Sequence, residues 1–319
     1  MSFDVPILFL VFNRPETTVR VFEKIREIKP QRFFVAADGP RASKEGEMER
    51  CQAVRDIVLK NIDWPCEVKT LLRDQNLGCG KAINGAITWF FENVEEGIIL
   101  EDDTLPATSF FNFCKELLER YRNDSQVKII CGGNYVNRIE TTGATYYFTA
   151  FPHIWGWATW KRTWDEYDFK LVSMTETEMR KILATYFVDN KIIESWITNF
   201  KLVKEQKINA WDYQLGFSIL KKNGFNAVTN KNMISNIGFG NNATHTISID
   251  TSLANNPVSE IREVIHPAEI KIDKKQDRHT EKRVLNVPVL DKVKSLMKRI
   301  SKLNTCKGKW KNTKNKLMS

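Results

Sequence analysis

Gly97-Ile98-Ile99-Leu100-Glu101-Asp102-Asp103 carries a short apolar run straight into three consecutive carboxylates. Four apolar or glycine positions in a row read as a strand buried in a parallel sheet. Glu101, Asp102 and Asp103 at its carboxyl end repel one another, so a cation is expected among them. Hard oxygen ligands suit Mn2+ or Mg2+, ions that bridge readily to phosphate. Open α/β sheets also bind their ligands at the carboxyl ends of strands. The same residues read equally as a solvated acidic turn, because Thr104-Leu105-Pro106 follows and acids are favoured just before a helix.

Outward from this stretch the first half alternates strand and helix. Residues 5–12 are a continuous apolar strand, and Asn13-Arg14-Pro15-Glu16 opens a helix with proline in its first turn. Residues 32–37 form a second strand, stopped by Asp38-Gly39-Pro40. A helix over about 44–60, a strand over 67–72, a turn at 76–80 and a helix over about 81–92 precede the acidic stretch. A helix over 106–121 and a strand over 127–131 follow it. Repeated β–α units imply a mostly parallel sheet covered on both faces. After about residue 150 the texture changes. Trp155, Trp157, Trp160 and Trp164 crowd together, and Thr175-Glu176-Thr177-Glu178 is a capping box. Helices over about 190–206 and from Trp211-Asp212 to Asn223-Gly224 lead to a strand at 225–229, then a Gly/Asn-rich loop at 235–246. Residues 250–283 show little periodicity. The expected organisation is an α/β half over 1–135, a helical second half of the same domain over 136–249, and a basic extension over 250–319.

The chain has 319 residues, 42% of them hydrophobic, enough for a sizeable core. Its net charge of +9 belongs to residues 284–319, which hold ten Lys or Arg and one acid; the rest balances at 38 basic and 38 acidic side chains. The body therefore gives no electrostatic case for nucleic acid. Six cysteines show no CxxC pair, which reads as reduced thiols and a cytoplasmic protein. There is no signal-peptide pattern and no apolar run long enough to span a bilayer. An amphipathic helix over about 288–304 sets an apolar face against Lys292, Lys294, Lys298, Arg299 and Lys302. Residues 288–319 read as an anionic-membrane anchor, a protein-binding segment or a solubilising tail; a lipid-linked acceptor would make the first useful.

No GxxxxGK[ST], GxGxxG, GxSxG or HExxH occurs. Four stretches in order instead resemble a GT-A-fold nucleotide-sugar glycosyltransferase, most closely the N-acetylglucosaminyltransferase I type. They are Phe12-Asn13-Arg14-Pro15, Ala37-Asp38-Gly39, Ile99-Leu100-Glu101-Asp102-Asp103, and Phe239-Gly240 with His245. The turn Asn76-Leu77-Gly78 and the run Lys81-Ala82-Ile83-Asn84-Gly85 also resemble related inverting transferases. The resemblance covers about residues 5–246. It implies a Rossmann-like sheet with Asp103 as the direct ligand of Mn2+ (or Mg2+), the ion bridging the diphosphate of a UDP-sugar-like donor. Glu101 and Asp102 would contact ribose, sugar or metal-bound water, and Arg14 and Asp38 the base and ribose. Asp212 would take the proton of a saccharide or lipid-linked acceptor, giving inversion. The loop ending at His245 would close over the donor. The resemblance departs at Tyr213, where the family has a second acid, and in lacking an N-terminal anchor.

Plainer readings stand beside these. Asp212 could cap its helix, Arg14 could be a surface residue, and His245 an ordinary loop residue. The tryptophans could be core; Trp155 and Trp157 are the candidates for stacking on an acceptor sugar, and His153 reads as structural. Two other functions remain open: a sugar-nucleotide nucleotidyltransferase, disfavoured because residues 12–16 contain no glycine, and an inactive carbohydrate-binding or membrane scaffold.

Overall fold

The computed structural model describes residues 3–136, 143–171, 174–239 and 255–286. The first half alternates as its apolar periods require: β1 (Ile7–Val11), α1 (Pro15–Ile28), β2 (Arg32–Ala37), α2 (Glu47–Leu59), β3 (Glu67–Leu72), α3 (Cys79–Phe91), β4 (Glu96–Glu101), β5 (Thr104–Pro106), α4 (Ser109–Arg120) and β6 (Val127–Cys131). The second half adds β7 (Tyr146–Thr149), β8 (Trp157–Trp160), α5 (Lys161–Trp164), α6 (Glu176–Tyr186), α7 (Asn190–Lys204), α8 (Asp212–Lys221), β9 (Phe225–Thr229), β10 (Ile234–Asn236) and α9 (Lys274–Asn286).

Eight strands form one sheet in the order β3-β2-β1-β4-β8-β6-β9-β7. The first four are parallel, β8 runs against both β4 and β6, β9 is parallel to β6, and β7 closes the edge antiparallel to β9. The α/β class with a mostly parallel sheet thus holds, and strands from both halves of the chain share it. From β1 the chain leads outward through β2 to β3, then crosses back by α3 to β4 on the other side of β1. That reversal opens a crevice at the carboxyl ends of β1 and β4, where ligands of open α/β sheets bind.

Strand alternation assigns the two faces. Ile7, Phe9, Val11, Ile98 and Leu100 pack under α1, α2 and α4. Leu8, Leu10 and Ile99 pack under α3 and α8 with Trp157, Phe90, Leu215 and Ile219. A third cluster joins α6, α7 and the far side of α8 through Leu183, Ile197, Phe200, Phe217 and Leu220. Residues 214–220 are all buried, so α8 is wedged between sheet and outer helices, and its N-terminus is held rigidly.

Several expectations are revised. The helix anticipated from residue 106 starts at Ser109, because β5 pairs antiparallel with β10 and draws residues 104–106 and 234–236 into a ribbon. The tryptophan stretch is a strand inserted between β4 and β6, with Ile99 opposite Trp157 and Glu96 opposite Trp160. Residues 255–286 are not a separate tail. Glu260 accepts the Thr108 and Ser109 amides at the start of α4, at 3.0 and 2.8 Å. His266 Nδ1 meets the Tyr146 hydroxyl at 2.9 Å. Asp277 of α9 accepts the Thr149 hydroxyl at 2.5 Å and the Ala150 amide at 3.3 Å. The helix expected at 288–304 lies outside the described residues. Among the described residues no helix is long and apolar enough to cross a membrane.

Candidate functional site

The site lies at the β1/β4 crevice. Alternation carries past the end of β4: Glu101 continues the face of Ile99, toward α3 and α8, and Asp102 continues that of Leu100, toward α1. Asp102 is 5% exposed and accepts the Phe12 amide on Oδ2 at 3.1 Å, so it staples the ends of β1 and β4 together. Thr104, fully buried, closes the turn: its hydroxyl accepts from the Glu101 amide at 2.9 Å and donates to the Glu101 carbonyl at 3.0 Å. The Ile237 amide donates to the Asp103 carbonyl at 2.8 Å, tying the triplet to the segment after β10.

The cation that three adjacent acids require is Arg14. Its Nη1 donates to Asp103 Oδ2 and lies 3.7 Å from Asp102 Oδ1. Burial works against the guanidinium charge, but Asp102 and Asp103 outweigh it and raise the Arg14 pKa. Gly238 backs this pair closely: a Cβ there would lie 2.6 Å from Arg14 Nη1 and nearer still to Asp103 Oδ2. One guanidinium does not neutralise the cluster. Burial, with the charges of Asp103, Asp102 and Asp212, raises the Glu101 pKa to about 8. Burial with Asp103 raises Asp102 to about 7 despite Arg14.

Asp212 reaches the cluster from the first turn of α8. Its charge acts on Glu101, and on the Cys79 thiol, whose pKa burial and the surrounding carboxylates push far up. It is the first helical residue after the N-cap Trp211 and so is not itself the cap; a carboxylate there gains from the helix dipole. The segment before it is pinned on three sides. Asn209 Oδ1 accepts the Gly80 amide at 2.9 Å, Trp211 O accepts the Tyr167 hydroxyl at 3.0 Å, and Ala210 O accepts Gln214 Nε2 at 2.8 Å.

No protein-family model matches the sequence, and neither does any curated protein. Among solved structures, S. aureus TarS 1-349 is similar at 10% identity with a TM-score of 0.39, over 72% of this chain and 59% of that one. A cytidylyltransferase from Leptospira borgpetersenii serovar Hardjo-bovis (strain JB197) is similar at 10% identity and TM-score 0.32, over 51% and 63%. A UDP-glucose pyrophosphorylase complexed with UDP-glucose is similar at 10% identity and TM-score 0.37, over 73% and 93%. The chain thus spans less than two thirds of the first two. At such TM-scores the fold assignment rests on the strand order above.

Arg14, Glu101, Asp102, Asp103 and Asp212 therefore come together, from three elements. Asp38 does not join them as a ligand. Its carboxylate accepts the Gly39 amide at 3.0 Å, Asn76 Nδ2 at 3.0 Å, the Leu77 amide at 3.0 and 3.2 Å and the Gly78 amide at 3.1 Å. Four donors fill its lone-pair positions, so it anchors the 76–80 turn instead of holding ribose. Asp102 is likewise turned inward, a staple rather than a donor contact. Trp157 is 1% exposed and stacked on Trp211, so it lies in the core and presents no face to an acceptor. Trp155 is only partly buried, with its ring set edge-to-face with Tyr135 at 4.8 Å and Phe239 at 5.9 Å. His153 is structural: fully buried, it donates Nδ1–H to the Gly133 carbonyl at 3.0 Å, stacks on Tyr135, and burial lowers its pKa to about 4. His245 lies outside the described residues. Gly238, Thr104, Asn209 and Tyr135 were not anticipated. Gly238 and Asn209 act on residues more than a hundred positions away, which no local pattern signals; Thr104 closes a turn on Glu101, and Tyr135 packs on His153 and Trp155.

Among the described residues no three His, Cys, Asp or Glu side chains form a closed metal cage. The donor set rests on the Asp103 carboxylate, which Arg14 already contacts through Oδ2. Such a set fits a Mg2+-like ion that takes one or two carboxylates and completes its shell with phosphate and water. Burial first, and the neighbouring carboxylates second, raise the pKa values of Glu101 and Asp102.

Proposed function

We propose that this chain is a metal-dependent, inverting glycosyltransferase that moves a sugar from a nucleotide-diphosphate donor to a saccharide acceptor. The observation that carries the reading is the meeting of Arg14, the acidic triplet and Asp212 at the β1/β4 crevice. Asp103 would hold the ion, which when bound supplies charge neutralisation to the leaving diphosphate. The protein's own contribution is positioning and proton transfer. Asp212, fixed by the wedged α8 and the pinned 209–211 segment, accepts the proton of the acceptor hydroxyl as it attacks the anomeric carbon. Arg14 provides a fixed positive charge beside the diphosphate. The partly exposed Trp155 ring supplies an apolar face for an acceptor sugar.

Calorimetry with Mn2+ and UDP-, GDP- and dTDP-sugars tests the reading. Heat of binding for at least one donor, dependent on Mn2+ and lost in Asp103→Ala, is expected. No heat with any donor removes it. Release of pyrophosphate from a nucleoside triphosphate and a sugar 1-phosphate, with formation of the nucleotide-diphosphate sugar, would instead establish nucleotidyl transfer.

A further inference from the structure

We propose that Arg14 is a resident counter-ion, held on Asp103 until a divalent ion and a nucleotide diphosphate arrive together and displace it. The proposal rests on the metal-dependent reading above and specifies how that site loads. Arg14 Nη1 and Asp103 Oδ2 are in direct contact, with the two side chains 20% and 14% exposed. The Gly238 backbone closes against both, so the pair sits in a fitted notch and is not a loose surface ion pair. A metal ion at about 2.0–2.1 Å from Asp103 Oδ2 would occupy the position of that guanidinium hydrogen. Two cations crowded onto one carboxylate repel each other, so the bound guanidinium opposes the ion.

Arg14 cannot simply leave. It follows β1 at the N-cap position of α1, beside Asp102, in a largely enclosed crevice. Removing one partner of such a pair leaves an uncompensated charge. A diphosphate resolves both demands. Its oxygens accept the guanidinium fork and also complete the metal shell. Metal and diphosphate binding are then coupled, and the coupling is reciprocal.

The test is Mn2+ binding to the full chain by calorimetry, with and without UDP, independent of turnover. Wild type should bind Mn2+ weakly alone and about tenfold or more tightly with UDP. Arg14→Met should bind Mn2+ alone about tenfold more tightly than wild type and lose most of the UDP enhancement. Arg14→Lys, which keeps the charge, should stay as weak as wild type. Equal or weaker Mn2+ binding by folded Arg14→Met overturns the proposal. Should that variant not fold, wild-type crystals soaked in Mn2+ without UDP decide: an ion on Asp103 with the Arg14 contact intact overturns the proposal, and Arg14 on Asp103 with no ion supports it. Absence of Mn2+ binding to wild type even with UDP would remove the metal reading itself, a result distinct from tight Mn2+ binding that ignores Arg14.

Discussion

Asp38→Asn separates two roles for a residue that sequence resemblance assigns to ribose and the structure assigns to a turn. The carboxylate takes four donors, the amides of Gly39, Leu77 and Gly78 and the side chain of Asn76. An asparagine keeps one acceptor oxygen and replaces the other with an NH2 group. In either orientation that group faces at least one N–H, so one or two charge-assisted hydrogen bonds are lost. Each is worth about 1.5–3 kcal/mol, and Asp38 is half-buried, which favours the low end; the cost is about 2–3 kcal/mol. Unfolding entropy near 2.1 cal/mol/K per residue gives about 0.7 kcal/mol/K for 319 residues. The melting temperature of the ligand-free protein should therefore fall by about 3–5 °C, measured by calorimetry or near-UV circular dichroism. The turn also carries Gly80, whose amide is held by Asn209 three residues before Asp212. Turnover should fall together with stability. An unchanged melting temperature with a tenfold loss of donor affinity would refute the anchor and restore the ribose contact.

Three further outcomes are expected. Asp212→Asn should leave Mn2+–donor binding intact by calorimetry and lower kcat about 10²–10⁴-fold, the range of a lost general base; loss of binding instead would place Asp212 among the donor contacts. Gly238→Ala introduces a methyl 2.6 Å from Arg14 Nη1, so it should lower stability by about 1–3 kcal/mol and displace the loop that covers the Arg14–Asp103 pair; a crystal structure with that pair undisturbed would contradict the fitted notch. Asp277→Asn tests the docking of α9. Burial raises the Asp277 pKa from 3.8 to about 6, so between those values the folded state holds more protons than the unfolded state. Stability from this group accordingly falls as pH rises from about 4 to about 6 and is flat above, by up to about 3 kcal/mol. The asparagine variant should match wild type near pH 4 in denaturant midpoints and exceed it at pH 7.5; a variant less stable than wild type at pH 7.5 would show that the ionised carboxylate holds the helix.

What could be read without the structure follows from how each element is buried. β2, β3, β6 and β9 match the sequence expectation to the residue, and β1 within two, because short runs rich in apolar and β-branched residues between turn signals mark a strand. β8 was missed because what makes Trp157–Trp160 a strand is its insertion between β4 and β6, a non-local pairing. α9 was missed because its inward residues are Gln276, Asp277 and Thr280, which give no apolar period. The site divides in the same way. The triplet is legible from residue types at a strand end, Arg14 and Asp212 only from the resemblance, and a sequence cannot say what each carboxylate faces. Asp38 is taken up by three backbone amides and the Asn76 side chain, and Asp102 gives one oxygen to the Phe12 amide. The cation beside the three acids, Arg14, lies 89 positions from Asp103 and meets it only because β1 and β4 are neighbours. Burial, together with neighbouring carboxylates that one guanidinium does not offset, leaves Glu101 and Asp102 with raised pKa values. A diphosphate entering that crevice adds negative charge to a site already in deficit of positive charge, so it can bind tightly only in company with a cation.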